Sequence, residues 1–292
     1  MKIKSFLREM TPPIIWRLKD FYKERSSIKE YKKLKNIYTS YAAALEHCIT
    51  KEGYEDNDVV KTVFEKTKIF KEQINNASPI YLNSTEAFAF LGFLRLTGNT
   101  ALNIIDLGGA CGLYYLYYKQ LVKMSTDMKW FVVETTQMCR YGKTLENHEL
   151  QFRDDFERTL EEVKMVDLLL CSGTLQCVER PYELLELMAE SNAEFILFNR
   201  LGLTEGDTDV ITTHVSNLSD NGIGVLPKGF TDKKVEYPFS FIQKAKFDTI
   251  MQANYDYKII WSDQSGIFPV NDEPIVGMGI LCERKTKILK SI

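Results

Sequence analysis

A glycine-rich stretch near the middle of the chain has the residue types and spacing of a ligand-binding turn. Residues 103–112 read NIIDLGGACG, so an apolar run leads directly into Gly108, Gly109 and Gly112. Glycine takes positive φ without strain and lets a ligand approach the backbone closely. The helix predicted to follow would present free N–H groups and a partial positive charge at its N-terminus. The stretch therefore predicts a strand, a ligand-binding turn and a helix in succession.

Two acidic residues indicate which ligand this turn would bind. Asp106 stands inside the strand end, two residues before the first glycine, as is typical of S-adenosylmethionine sites. Dinucleotide sites use GxGxxG instead, and here Ala110 and Leu113 occupy the second and third glycine positions. Glu134 ends the next apolar run, where a carboxylate is placed to accept hydrogen bonds from both ribose hydroxyls. We therefore predict S-adenosylmethionine as the cofactor; the alternatives are a turn without a ligand and an exposed or helix-capping Glu134.

A polar loop after the fourth predicted strand supplies further candidates. Residues 172–176 read SGTLQ, at the point where the methionine end of the cofactor and the substrate usually meet in such folds. Ligands of parallel sheets bind outside the carboxyl ends of the strands, although an ordinary strand-to-helix loop is the alternative. The end of the third predicted strand adds two more candidate positions, Phe152 and Asp154. The candidate cofactor contacts are therefore Asp106, Gly108, Gly109, Ala110, Gly112, Glu134, Phe152, Asp154, Ser172, Gly173 and Gln176.

Three residues near the end of the fifth predicted strand and beyond it are the main candidates for catalysis, and Asp209 is a fourth. Transfer to an oxygen nucleophile needs a general base, and His214, in the irregular segment 202–239, titrates near neutrality. Arg200 could hold a carboxylate, a phosphate or a sugar hydroxyl. Tyr237 is a weaker candidate, and so is Asp209. The alternatives are a structural or surface histidine and a surface salt bridge for the arginine.

The elements that must position these residues alternate from residue 102 onward. Near-continuous apolar strands separated by helices are typical of a parallel sheet covered on both faces. The rhythm breaks after residue 201, where 202–239 shows no clear period and forms a predicted substrate-side insertion. The predicted strands are 102–107, 130–134, 150–153, 166–171 and 194–199, and the predicted helices are 112–124, 138–146, 156–163 and 181–189.

The end of the chain completes a recognisable order. A helix over 241–253 precedes two strand-like runs, 257–262 and 276–283, which a loop rich in Pro, Asn and Asp joins. Five parallel strands followed by a helix and a terminal hairpin, whose last strand inserts antiparallel, are typical of class I methyltransferases. The sequence therefore predicts an α/β, Rossmann-like class I methyltransferase fold over 99–292.

Two segments precede this domain. Residues 36–98 read as a helical extension or cap, with helices over 36–49, 59–74 and 85–96. Residues 1–35 hold eleven Lys and Arg and four acids, which gives a net charge of +7 and leaves −10 for the rest of the chain. Their apolar residues recur at helical spacing, so the segment predicts peripheral contact with an anionic membrane or a partner. The alternative is a stripe packed on the main domain.

Composition excludes several classes of protein. An acidic main body argues against a nucleic-acid enzyme, which would need a basic face. No apolar run reaches the length of a membrane span, and the first thirty residues lack the apolar core of a signal peptide, so a cytoplasmic protein is expected, with contact at the inner face of the membrane through 1–35. The six cysteines and three histidines lack metal-ligand spacing, so no metal site is predicted.

The motifs also resemble a particular family, over roughly residues 36–284. This family of bacterial methyltransferases is often encoded with surface-polysaccharide genes, and its signature is LDFGG(S/A)xGxxY. The resemblance implies S-adenosylmethionine as cofactor and a hydroxyl of a glycan or glycan precursor as acceptor; an unrelated small-molecule acceptor and a non-catalytic S-adenosylmethionine-binding protein stay open. The similar stretches are IIDLGGACGLYY (104–115), KWFVVE (129–134), SGTLQCVERPY (172–182), YPF (237–239), 38–44 and GYE (53–55).

Two positions depart from the general class I pattern. Ala110 stands where the middle glycine of D-x-G-x-G-x-G is expected, and its Cβ would narrow the space for the cofactor. The separation between Asp106 and Glu134 is long, which predicts a longer first helix or a loop at 125–128.

Overall fold

The computed structural model describes residues 36–76, 87, 89, 96, 101–121, 127–270 and 273–286. The basic segment 1–35 lies outside the described residues, and so does most of the predicted helix 85–96. In the described part, no helix is long and apolar enough to cross a membrane. Within these same ranges, no group of three or more His, Cys, Asp or Glu side chains is placed to hold a metal ion.

A parallel sheet forms the centre of the molecule, as the sequence predicts. Its strands are β1 (Ala101–Leu107), β2 (Asp127–Val133), β3 (Leu150–Arg153), β4 (Leu168–Ser172) and β5 (Phe195–Thr204). The sheet places β1 between β2 and β4, with β3 beyond β2 and β5 beyond β4, and all four pairings are parallel. Ile104 and Ile105 are adjacent in β1 and belong to different buried clusters, because successive side chains point to opposite faces.

The helices begin and end where local capping allows. The described helices are α1 (Tyr41–His47), α2 (Asn57–Asn75), α3 (Leu113–Leu121), α4 (Thr136–Gly142), α5 (Phe156–Val163), α6 (Pro181–Glu190) and α7 (Lys244–Gln252). In the cap, Ser40 and Asp56 accept backbone N–H bonds at the first turns of α1 and α2. Thr135 and Asp155 do the same for α4 and α5, while Pro181 occupies the first turn of α6.

A long hairpin closes the sheet beside β5. Its strands are β8 (Tyr255–Val270) and β9 (Glu273–Arg284), and β9 pairs antiparallel with both β5 and β8. The order β3-β2-β1-β4-β5-β9-β8, with β9 reversed, is the class I methyltransferase order, so the predicted fold is confirmed. The predicted loop between 262 and 276 is wrong for most of its length, because the strand pairing continues to Val270 and resumes at Glu273.

The insertion 202–239 is more regular than its sequence indicates. It contains β6 (Val210–Asn217) and most of β7 (Lys234–Gln243), which pair antiparallel over eight residue pairs. β7 also joins the end of β5 through Leu203 and Thr204. The helix predicted to begin at 241 begins at Lys244 instead, since Phe241 pairs with Val210 in the hairpin. Threonines in β6 and a proline within β7 conceal the two-residue period on which strand prediction depends.

The helical cap packs on this insertion. Tyr38 forms an isolated antiparallel bridge with Ile211, at the free edge of β6. Lys66, on α2, is 1% exposed and donates its Nζ to the carbonyl oxygens of Ser219 (2.6 Å) and Asn221 (2.8 Å). A buried ammonium is stable only when its donors are satisfied, so these bonds fix α2 against the insertion. Burial lowers the pKa of Lys66, with Asp220 and Asp232 opposing that effect.

Candidate functional site

The turn after β1 has the positive-φ geometry that its glycines predict. Gly108 has a φ of +71° and Gly112 a φ of +79°, in the left-handed region that glycine tolerates best. The Gly108 N–H donates to the carbonyl of Val133, at 2.8 Å, which joins the turn to the end of β2. A Cβ on Gly108 would lie 1.9 Å from Oγ1 of Thr174, in the loop after β4. The turn thus holds the carboxyl ends of β1, β2 and β4 close together.

Asp106 supports the turn from beneath. The residue is fully buried, and a Cβ on Gly109 would lie 2.4 Å from its carboxyl group. Trp130 donates its indole N–H to Oδ2 at 3.3 Å, whereas Oδ1 has no hydrogen-bond partner among the described residues. Burial raises the pKa of Asp106 to about 7, against the lowering effect of the Trp130 bond. Direct contact between Asp106 and a ligand stays a prediction.

Glu134, at the end of β2, is held by two backbone donors. Its Oε1 accepts from the N–H of Ala110 and its Oε2 from the N–H of Thr135, both at 2.9 Å. Each carboxylate oxygen has two lone pairs, so each retains one acceptor position. Burial raises the pKa of Glu134, although these two hydrogen bonds oppose the shift. The carboxylate is therefore fixed in place and able to accept two more hydrogen bonds.

Ala110 explains how the turn departs from the general motif. It has a φ of +51°, a conformation that costs a non-glycine residue about 1 kcal/mol. That conformation directs its N–H toward Glu134. A small side chain at this position is therefore compatible with the turn, and the bond to Glu134 offsets part of the strain.

Two sequence candidates after β2 have different placements. The Phe152 side chain is fully buried, and a Cβ added to Gly142 would lie 2.4 Å from its ring. A Cβ on Gly112 would also reach that ring, at 3.7 Å, so Phe152 packs behind the turn. Asp154 is exposed and accepts a bond from the Thr136 hydroxyl at 3.3 Å. Contact of Phe152 or Asp154 with a cofactor stays a prediction.

The carboxyl end of β4 carries a buried polar cluster. Ser172 Oγ lies 2.9 Å from the Tyr114 hydroxyl, to which Asn199 donates its amide at 3.4 Å. Gly173 has a φ of +73°, and its N–H donates to the Asn199 carbonyl at 2.9 Å. Gln176 is 4% exposed and has a buried Oε1 without a partner in the described ranges.

Arg200 lies at an irregularity of β5. Pairing with β9 shifts register between Phe198 and Leu201, and Arg200 there adopts a φ of +57°. Its Nη2 donates to the Ser172 carbonyl at 3.0 Å, and its own carbonyl accepts from the Gln176 amide. The bulge thus turns the guanidinium back over the end of β4.

His214 and Tyr237 meet on the hairpin of the insertion. They are directly paired between β6 and β7, and their ring centroids are 5.3 Å apart. Phe239 lies 5.5 Å from His214, so the imidazole is bordered by two aromatic rings. Burial lowers the pKa of His214, and the positive charge of Arg200 lowers it further. The structure therefore brings the three catalytic candidates to one place and favours a neutral imidazole.

The cap contributes a residue that sequence reasoning did not select. Tyr54, in the 3-10 turn Gly53–Glu55, makes an edge contact with Tyr237 at 5.1 Å between ring centroids. Burial raises its pKa to about 12, with Arg200 opposing and Glu134 adding to the shift. Tyr54 therefore lies near Glu134 as well as near Arg200 and Tyr237. The GYE stretch in the family resemblance was the available signal.

Asp209 is directed elsewhere. Its Oδ1 accepts from the Tyr182 hydroxyl and from the backbone and side-chain nitrogens of Gln243. Asp209 and Tyr182 border a cleft of about 470 Å³ between α1, the start of α6 and the hairpin. The bonds give Asp209 a structural role at the junction of β6 and β7.

Comparison with known proteins gives a likeness of fold. No protein-family model and no curated protein matches the chain. The N-terminal domain of EvdMO1, solved with SAH bound, is 13% identical with a TM-score of 0.45, and the match covers 75% of this chain and 97% of that one. An S-adenosylmethionine-dependent methyltransferase from Clostridium acetobutylicum is 10% identical with a TM-score of 0.44, covering 75% and 98%. The sugar N-methyltransferase KedS8 from Streptoalloteichus is 10% identical with a TM-score of 0.44, covering 69% and 88%. At these identities and scores the likeness does not extend to function.

Proposed function

We propose that this chain is an S-adenosylmethionine-dependent methyltransferase. The observation that carries the proposal is Glu134, which two backbone N–H groups fix while each of its oxygens keeps an acceptor position. A pair of vicinal hydroxyls, as in ribose, matches a carboxylate with one free position on each oxygen. The positive-φ turn at Gly108–Gly112 lies beside it, which leaves backbone rather than side chains facing a ligand.

We further propose that the acceptor is a hydroxyl group of a glycan or glycan precursor. When bound, S-adenosylmethionine supplies an electrophilic methyl group, so the protein must align the nucleophile and remove its proton. A neutral His214 can accept that proton, and its lowered pKa favours the neutral form. Arg200 and Tyr237 border the same space and would orient the acceptor. The glycan itself rests on the resemblance of the motifs to the polysaccharide-associated family.

Isothermal titration with S-adenosylhomocysteine tests the cofactor. We expect saturable binding at one site per chain, and NADH should not compete. Folded protein that fails to bind the nucleoside would refute the proposal, and binding of NADH instead would indicate an oxidoreductase. A methyl-transfer screen with labelled S-adenosylmethionine against glycan intermediates of the producing cell would then test the acceptor. If only an unrelated small molecule were labelled, the acceptor would be a small molecule of that kind and not a glycan.

A further inference from the structure

Arg200 differs from other arginines of the domain in its partners. Arg153 is paired with Glu162 at 2.8 Å, and Arg180 with Glu183 at 2.9 Å. Among the described residues, by contrast, no carboxylate lies within ion-pair distance of Arg200, whose guanidinium donates one bond, to the Ser172 carbonyl. A guanidinium has five N–H donors, so most of those on Arg200 remain available. The side chain is also exposed, so a ligand can reach it.

One unfavourable backbone conformation and one glycine allow this guanidinium to take its position. Arg200 itself has a φ of +57°, which costs about 1–2 kcal/mol for a residue with a Cβ. Gly173 has a φ of +73°, and a Cβ there would lie 2.9 Å from Nη2 of Arg200. Strained backbone conformations persist only where the surrounding structure enforces them, and they cluster at active sites and ligand sites. The strain here places one cation over the end of β4.

The groups around Arg200 leave its charge uncompensated. Tyr54, Tyr237 and His214 all lie close enough for Arg200 to affect their pKa values. Burial raises the pKa of both tyrosines and lowers that of His214, so all three side chains are neutral near pH 7. Glu134 is a carboxylate of this region, but among the described residues its oxygens accept from backbone N–H groups and form no ion pair with Arg200. The Arg200 guanidinium is therefore available to pair with an anionic group of a ligand.

We propose that Arg200 is the anion-binding group of this site and holds a carboxylate or phosphate of a bound ligand. The inference deepens the proposed function, and the anion has two candidate sources. For the source that lies on the cofactor, the inference rests on the proposed function. The first source is the amino-acid carboxylate of the cofactor. The second is an acidic group on the acceptor, such as the carboxylate of a uronic acid or the phosphate of a sugar phosphate. Both a carboxylate and a phosphate present two neighbouring anionic oxygens, which a guanidinium binds with two parallel hydrogen bonds.

The test compares Arg200→Gln with the wild-type protein in two titrations. The first titration uses S-adenosylhomocysteine and 5′-methylthioadenosine. The two compounds share the nucleoside, but 5′-methylthioadenosine lacks the carboxylate. The second titration, with S-adenosylhomocysteine present, uses glucose 1-phosphate, glucuronate and glucose. Arg200→Lys keeps the charge without the paired donors and should be intermediate. The matched control is Arg180→Gln, which removes an exposed arginine paired with Glu183 and should change nothing.

Two results would support the inference and would identify the source. A loss of about ten- to hundredfold for S-adenosylhomocysteine, with 5′-methylthioadenosine unchanged, assigns Arg200 to the cofactor carboxylate. Unchanged S-adenosylhomocysteine with a similar loss for the two anionic sugars, but not for glucose, assigns it to the acceptor. Equal losses for all ligands, or no loss for any, would overturn the inference. Wild-type protein that binds the anionic sugars but not S-adenosylhomocysteine would refute the proposed function and leave this inference standing.

Discussion

The turn after β1 and the β6–β7 hairpin contribute to the same candidate site by different physical means. In the turn, the contacts are made by backbone: the Gly108 N–H binds the Val133 carbonyl, and the Ala110 N–H binds Glu134. In the hairpin, the contacts are made by rings, with His214 between Tyr237 and Phe239. The first depends on the absence of side chains and the second on their presence.

This difference determines how each part should respond to substitution. An added Cβ collides at several positions of the turn, so changes there should affect folding and ligand binding together. The hairpin residues are held by strand pairing that does not depend on the identity of the side chain, so His214 can be truncated with the backbone intact. Cofactor binding and acceptor chemistry should therefore be separable by mutation.

Gly108→Val is expected to have the largest effect. Its Cβ would lie 1.9 Å from Thr174 Oγ1, and a β-branched residue resists a φ of +71°. The collision is with the loop after β4, so displacement of that loop, rather than filling of the cofactor space, should abolish binding. We expect no detectable titration with S-adenosylhomocysteine and a loss of several kcal/mol of unfolding free energy, on the order of 3 or more.

Gly224→Val is the matched control for strain alone. Gly224 has a φ of +77°, and a Cβ there would meet no atom within 4 Å. Its substitution should cost about 1–2 kcal/mol of stability and leave binding unchanged. Normal binding by Gly108→Val would show that the turn does not form the cofactor site.

His214→Ala is expected to act on the hairpin side. Loss of a general base should lower kcat by about 10²–10⁴-fold, while the affinity for S-adenosylhomocysteine stays at the wild-type value. The wild-type kcat should rise with pH through the ionisation of His214, because only the neutral imidazole accepts a proton. Since burial and Arg200 lower that pKa, the rise should fall below the ordinary histidine range and be complete by neutral pH.

His148→Ala provides the comparison, since the His148 side chain is 84% exposed. It should retain the full rate and the full pH profile. If His214→Ala also retained both, the histidine would be a packing residue of the hairpin, and another group would have to remove the proton.

Asp106 should make the stability of the turn depend on pH. Burial raises its pKa from 3.8 to about 7, so the native protein holds a proton that the unfolded chain has lost between these values. The free energy of unfolding should therefore fall as pH rises through this window, with the full cost present above pH 7. Asp106→Asn removes the ionisation, and should gain about 2–4 kcal/mol relative to wild type between pH 4 and pH 8.

Denaturant titrations at both pH values measure this difference directly. Asp207→Asn, at an exposed position, is the control and should follow the wild-type profile. Parallel profiles for Asp106→Asn and wild type would show that burial in the native turn does not raise the pKa of Asp106 above its unfolded value.

The two parts also differ in how far sequence alone could predict them. The turn is local: Asp106, its glycines and Glu134 lie at the ends of strands whose apolar runs are continuous, so their position follows from the pattern. The hairpin is non-local, since β7 pairs with both β6 and β5 through residues far apart in the chain. Its threonines and Pro238 interrupt the two-residue alternation of apolar and polar residues, so the sequence predicts an irregular segment there.

Residues that meet only through the fold were the least accessible to prediction. Tyr54 reaches Tyr237 across about 180 residues of chain, and nothing in the composition of the cap indicates that contact. The strain at Arg200 was equally hidden, because a register shift against β9 produces it. The candidate catalytic residues were selected by type, and their proximity is a property of the insertion.

Glu134→Ala is the smallest expected effect and the sharpest test of the turn. Ala110 and Thr135 would lose their acceptor, and a bound ribose would lose two charge-assisted hydrogen bonds. We expect titration with S-adenosylhomocysteine to show a loss of about 1.5–3 kcal/mol, with kcat at saturating cofactor nearly unchanged. Glu161→Ala, which removes an exposed acid, should leave both values unchanged.

Because Ala110 is strained and its N–H binds Glu134, Glu134→Ala should also lower the free energy of unfolding of the ligand-free protein. Adenosine shares the ribose but has neither the sulfur nor the carboxylate. Its binding therefore separates a role of Glu134 at the ribose from a role at the other end of the cofactor. If adenosine binding weakens as much as S-adenosylhomocysteine binding, Glu134 acts on the ribose. If only S-adenosylhomocysteine weakens, its role lies at the other end of the cofactor and the assignment is wrong.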